Sequence, residues 1–256
     1  MRKIAIAATM ALGVTTAACV ETRQFADLQF TPPQGDYKLL VLRPNVNVSE
    51  LTAGGVTQPR ADWSEQARAN ITAALRAQQS TRGGKMLVAG RRGAVPGVDA
   101  DTIAELERLN SIVDQSIVMH KYYGISLPTK RRRGLDYTLG EAAVDLGRKT
   151  GYDYMLFLHA EDNRASAGRT ALQVIGIAGC IVGYCAPSGG ANQLAYASLV
   201  DLKSGNVVWF NVVQTGSQLP GVTFGDIRTP QGAALMVERL LGRMKPGRAV
   251  RRERAS

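Results

Sequence analysis

Two histidines and three cysteines in 256 residues leave little material for metal chemistry, since a structural metal site takes about four nitrogen or sulfur ligands. Aromatic residues make up 6% of the chain, so the core has to be built largely from aliphatic side chains. Charged residues at 20% and hydrophobic residues at 45% exclude a mainly disordered or collagen-like chain. No nucleophile motif and no glycine-rich phosphate loop accompanies either histidine, which removes the usual starting points for acyl and phosphoryl transfer. Long apolar runs are missing too: residues 4–14 and 171–186 carry no charge, yet both fall short of the ~20 residues a membrane-spanning helix needs. Acidic residues are the scarcer sign, 21 against 31 Lys and Arg, and the formal charge of +10 bears on partners without specifying a fold.

What is present begins at the first residues. Arg2 and Lys3 precede the apolar run, and Thr15, Thr16, Ala17 and Ala18 are small, the arrangement of a secretory leader over residues 1–18. Thr16-Ala17-Ala18-Cys19 also resembles the bacterial lipobox, in which small residues precede a cysteine that is lipidated and becomes the first mature residue. Thr16 departs from the Leu more often found there, and cleavage after Ala18 with a free thiol is the alternative. The resemblance implies acyl chains such as palmitate on Cys19, and more than one chain is needed for stable anchoring at ~0.8 kcal/mol per buried methylene. By the same resemblance Val20, rather than Asp, after the cysteine implies the periplasmic face of the outer membrane. Residues 19–36, with Pro32-Pro33-Gln34-Gly35, read as a lipidated tether with slack.

Residues 37–48 open with an apolar run that suits a buried strand, which Pro44 limits. Asp62, with Glu65 three residues later, reads as a capping box for a helix whose face is Trp63, Ala67, Ile71, Ala74 and Leu75. Residues 85–89 form a short strand. From Asp99 the spacing of Ile103, Leu106, Val113 and Ile117 predicts a helix ending near Tyr122-Tyr123-Gly124, where His120 suits the helix dipole. Thr138 and Glu141 read as another capping box, for a helix that buries Ala142, Ala143 and Leu146 and stops at Gly151. Residues 152–160 are apolar on both faces, which predicts a central strand covered on two sides. Residues 192–203 and 206–214 predict a hairpin with Gly205 in its turn, and Thr229-Pro230 starts a last helix facing inward through Ala233, Met236, Val237, Leu240, Leu241 and Met244. The expected fold is α/β: a single mixed-sheet domain over residues 37–245 with helices packed on it, in the order β-α-β-α-α-β-(apolar insertion)-β-β-α. The insertion covers residues 171–190 and a basic tail covers 246–256.

The strand Gly151-Tyr152-Asp153-Tyr154-Met155-Leu156-Phe157-Leu158 and the hairpin Leu199-Val200-Asp201-Leu202-Lys203-Ser204-Gly205-Asn206-Val207-Val208-Trp209 resemble a group of envelope proteins. These share the α/β domain of the curli-secretion lipoprotein and of the amino-terminal domain of the Tol-system propeller protein. The resemblance carries over no catalytic residue, cofactor or pore. In the hairpin, Asp201 and Gly205 are expected to shape the turn and Trp209 to fill the core. Together with the lipobox, this points to a noncatalytic periplasmic lipoprotein, an envelope assembly or adaptor module with a protein partner, no cofactor and no nucleic acid. A homo-oligomeric secretion component is one alternative. A hydrolase using His159, beside Glu161 and Asp162, is the other, weighed against a histidine that merely packs or caps a strand end.

Three further features are candidates for function. The segment 171–186 reads first as a buried or self-packed insertion. An oligomer contact along Gly176, Gly179 and Gly183, or membrane insertion, are its alternatives. Cys180 and Cys185 are a candidate disulfide, which requires the helix to break between them because five helical residues would set them ~140° apart. Lys130, Arg131, Arg132 and Arg133 in a loop, with Arg248, Arg251, Arg252 and Arg254 in the tail, form a candidate patch for anionic lipid headgroups or an acidic protein. A solvated loop and tail is the plainer reading.

Overall fold

Pro44 has no N–H to give to a ladder, and it divides the first apolar run into two strands. A computed structural model describes residues 20–80, 84–90, 94–130, 134–181, 192–215, 225–242 and 244. In it β2 (Lys38–Val41) ends before the proline and β3 (Asn45–Leu51) starts after it. Both lie parallel along one edge of β6 (Tyr154–Ala165), β2 pairing Leu39 with Tyr154 and β3 pairing Asn45 with His159. The stretch expected as one strand is therefore two, aligned end to end with a gap at Pro44. β4 (Thr57–Pro59) hairpins back onto β3, and β5 (Lys85–Val88) closes the far edge parallel to β2.

The other edge of β6 carries β7 (Asn192–Asp201), then β8 (Val207–Thr215), both antiparallel. The predicted hairpin is present. In its turn Asp201 accepts the Lys203 N–H at 2.8 Å and Gly205 takes φ 71°, a left-handed angle that favours glycine. Beyond β8 lies an element the sequence reading placed in a slack tether. Residues Val20–Ala26 form β1, antiparallel to β8 from Val20↔Thr215 to Ala26↔Trp209. The Arg23 guanidinium donates to the Tyr122 carbonyl at 3.1 Å, the Tyr122 hydroxyl donates to Glu21 at 3.1 Å, and Trp209 Nε1 donates to Gln24 at 3.3 Å. The tether is thus replaced, over these residues, by an edge strand fastened through both its backbone and its side chains.

The result is an eight-stranded mixed sheet covered on both faces, as expected for an α/β domain of this order. Alternation along the strands divides the core. Leu39, Val41, Leu156, Leu158, Leu199 and Trp209 meet helices α1 (Ala61–Ser80) and α5 (Pro230–Leu241). Leu40, Met155, Phe157, Val200, Phe210 and Val212 meet α2 (Ala100–Ile117) and α3 (Glu141–Thr150). Asp99 caps α2 by accepting the Thr102 N–H at 2.8 Å, and Thr229 caps α5, where Pro230 occupies the first turn.

Two expected caps are displaced. Asp62 lies inside the first turn of α1, paired with Arg60 at 3.2 Å. Gly140, at φ 65°, is the cap residue of α3. Thr138 instead ties the turn to the hairpin, its hydroxyl accepting the Gly140 N–H and donating to the Gly205 carbonyl, both at 2.9 Å.

The apolar insertion begins with α4 (Ala167–Ile181), started by Ser166, whose Oγ accepts the Arg169 N–H at 3.1 Å. The expectation that this segment is buried is overturned among its described side chains. Leu172, Val174 and Ile175 are exposed, while Gln173 is the buried one.

Candidate functional site

The gap at Pro44 opens a cavity of about 300 Å³ between α2 and the sheet, lined from the strands by Arg43, Leu158, His159 and Tyr196 and from the helix by Glu107, Asn110 and Asp114. It lies past the carboxyl end of β2, the side of an open α/β sheet where crevices form. Arg68 of α1 satisfies the backbone at the break, donating to the Pro44 and Val46 carbonyls at 2.8 and 3.1 Å. It also joins Arg43 on Glu65, with Arg68 Nη1 at 2.6 Å and Arg43 Nη2 at 2.9 Å from Glu65 Oε1. These guanidiniums, Arg68 foremost, hold the Glu65 carboxyl below the usual range.

The floor of the cavity is polar where the helix pattern calls for apolar residues. The buried stripe of α2 runs through Ile103, Leu106, Asn110, Asp114 and Ile117. Asp114 is 2% exposed. Its Oδ2 accepts the Asn110 Nδ2–H at 2.7 Å and the Ser198 hydroxyl at 3.0 Å, whereas its Oδ1 has no hydrogen-bond partner among the described residues. Burial pushes the Asp114 carboxyl up to about 7, against the pull of the Ser198 and Asn110 donors. Glu107 is also pushed up by burial, opposed by Arg43. Sequence reading missed Asn110 and Asp114. The signal available was two polar residues falling on the 103–106–117 apolar face.

His159 stands on the cavity wall with its ring stacked on Tyr196, 4.6 Å between centroids. Tyr196 in turn stacks on Phe210 at 5.8 Å, and burial pushes its phenol well above the ordinary range. His159 Nε2 meets Glu161 Oε1 at 3.0 Å, a bond that holds the Glu161 carboxyl below its usual range. Strand alternation separates the third member of the suggested acid–base group. Asp162 points to the opposite face of β6, buried beside Arg164 at 3.0 Å, with Asp226 within 3.7 Å of the same guanidinium. Burial pushes the Asp162 carboxyl up, opposed by Arg164. Among the described residues no hydroxyl is hydrogen-bonded to the His159–Glu161 pair, and no group of three or more His, Cys, Asp or Glu is placed to hold a metal ion. The arrangement can store a proton on Asp114 and present guanidinium, carboxyl and imidazole groups to a small polar molecule.

His120 is joined through Nδ1 to the Tyr137 hydroxyl at 2.8 Å, a packing role at the end of α2. Lys130 of the basic loop folds back, lying 4.6 Å from the Tyr137 ring centroid and donating to the Asp136 carbonyl. Cys19, Cys185, Arg131, Arg132, Arg133, Arg248, Arg251, Arg252 and Arg254 lie outside the described residues, as does the side chain of Cys180. The patch and the disulfide are accordingly neither assembled nor separated by the structure.

The residues that follow Cys19 are better defined. Val20 pairs with Thr215, Thr215 with Gln193, Asn163 with Asn192, and Leu51 with Ala165. Val20 is therefore level with Asp162, three strand spacings or roughly 14 Å across the sheet, and β6 runs on toward the same end, to Ala165, before α4 begins.

No family model matches the chain, and no curated protein matches it. Among solved structures it is similar to the PelC dodecamer from Paraburkholderia phytofirmans, with a TM-score of 0.35 and 14% identity over 88% of this chain and 99% of that one. A variant PelC dodecamer from the same organism gives 0.34 and 14% over 86% and 97%. Lipoprotein GNA1162 from Neisseria meningitidis gives 0.26 and 13% over 72% and 86%.

Proposed function

We propose that this chain is a noncatalytic bacterial envelope lipoprotein, anchored through acylated Cys19 at the periplasmic face of the outer membrane, and that it presents its α/β domain to a protein partner as an assembly or adaptor module. The observation that carries the reading is that β1 begins one residue after the lipobox cysteine and pairs with β8 along its whole length. An acyl anchor at Cys19 would then be coupled to the sheet without slack, so that one end of the domain faces the bilayer and the opposite surfaces face the periplasm. Such a fixed orientation suits an adaptor better than a free-swinging enzyme. The test is the mass of the purified mature protein together with its fractionation: di- or triacylation at Cys19, and release from the membrane fraction in Cys19→Ser, are the expected results. Crosslinking in the native envelope would then identify the partner. An unmodified Cys19 thiol would overturn the reading.

A hydrolytic role for His159 is the second reading, favoured by its bond to Glu161 and its place on the cavity wall. A robust turnover abolished by His159→Ala would establish it over the adaptor.

A further inference from the structure

Helix α4 is inside out. Its described exposed side chains are Thr170 and the apolar set Ala167, Ala171, Leu172, Val174, Ile175 and Ala178, with Leu172 at 45%, Val174 at 58% and Ile175 at 66% exposure. At 100° per residue the apolar set spans an arc of about 160°. The opposite side, through Gln173 and Gly176, is the buried one. The only charge in the helix is Arg169, in the first turn. Water is a poor solvent for such an arc of exposed aliphatic side chains. No helix among the described residues is long and apolar enough to cross a membrane, and fifteen residues reach only about 22 Å.

We infer that α4 lies in the plane of the lipid bilayer as an interfacial helix, its Leu172–Val174–Ile175 face among the acyl chains, and forms with Cys19 a two-point attachment. The inference rests on the lipoprotein reading above for its second point. The occupant is lipid because of where the helix starts. The strand register sets Val20, the residue next to the anchor, level with Asp162 of β6, roughly 14 Å across the sheet, and β6 runs on from there toward the same end of the sheet, to Ala165, before α4 begins. A bilayer that takes the acyl chains of Cys19 at that end of the sheet therefore also faces the start of α4. An apolar helix seated in the interface adds its own buried apolar area to the attachment that the acyl chains supply. The buried glutamine and the missing acidic residues agree with an outward face selected for hydrocarbon.

The test uses the full acylated protein in phosphatidylethanolamine–phosphatidylglycerol vesicles, with Ile175 replaced by photoreactive benzoylphenylalanine. Ile112, 68% exposed on α2, which packs on the face of the sheet opposite α1 and α5, is the control position. Irradiation should give phospholipid adducts at position 175 and none at 112. Adducts to a second copy, adducts to another protein, or no adduct at position 175 would overturn the inference. A second measurement separates it from the anchor. The mature chain, residues 19–256 made without its leader and so unacylated, should float with phosphatidylcholine vesicles, which carry no net charge for the basic residues to meet. Val174→Asp with Ile175→Asp should lower the bound fraction about tenfold or more at an unchanged melting temperature, since both sites are exposed. Absence of flotation by the unacylated chain overturns the role of α4 whatever Cys19 does. An unmodified Cys19 with flotation intact overturns only the lipoprotein reading.

Discussion

Asp114 offers the sharpest test of the cavity. Its carboxyl is buried under α2, and burial raises it from an ordinary value of 3.8 to about 7. A carboxyl whose folded-state value is raised holds its proton longer in the native protein than in the unfolded chain, so stability falls as pH rises between the two values. Below about pH 3.8 there is no penalty. At about pH 5 the unfolded chain has released its proton and the penalty is about 2 kcal/mol, and above about pH 7 it levels off near 4 kcal/mol. Asp114→Asn keeps the shape and an oxygen for the Asn110 and Ser198 donors at 2.7 and 3.0 Å, but has no charge to desolvate. Urea unfolding of both proteins at about pH 5 and pH 8 should therefore show the variant gaining about 2–3 kcal/mol on the wild type across that interval. For a domain of this size the gain corresponds to roughly 5–10 °C in melting temperature. Taking the difference between the two proteins cancels carboxyls that shift the other way, such as Asp226 and Glu65. Stability curves that stay parallel within about 0.5 kcal/mol would refute the assignment of a buried, proton-holding carboxyl to this site.

Gly205→Ala should cost about 2 kcal/mol or more in denaturant unfolding, because the added Cβ would lie 2.5 Å from the Gly140 carbonyl at a left-handed φ. Trp209→Ala, which empties a fully buried site and removes the Nε1–H donor to Gln24 of β1, should lose about 3–5 kcal/mol. His159→Phe keeps the stack on Tyr196 but removes the donor to Glu161 Oε1, so the Glu161 carboxyl should titrate higher by NMR. The stability that the depressed carboxyl supplies above its unfolded value, and loses as pH falls, should shrink with it. Deleting residues 246–256 should abolish any salt-sensitive binding of the unacylated chain to anionic vesicles while leaving its flotation with neutral vesicles intact.

Local patterns made much of this protein legible in its sequence. The hairpin at Gly205, the cap at Asp99, the stop at Gly151 and the two-faced apolar strand around Leu156 follow from spacing and turn chemistry within a few residues. The α/β order came from these together. Tertiary structure decided what depends on partners distant in sequence. Val20–Ala26 alternates without an apolar face, and it is a strand only because β8, nearly two hundred residues later, supplies a ladder and Tyr122 binds its side chains. Asn110 and Asp114 look like surface residues until α2 is laid on β7 and Ser198 meets both. That Pro44 limits the first strand was legible, but its division into two strands and the cavity this opens required β6 and the helix above it. The direction of α4 was the least legible of all. Hydrophobicity drives a segment out of water without naming where it goes, and only the tertiary structure shows that the described apolar side chains Leu172, Val174 and Ile175 face away from the protein core.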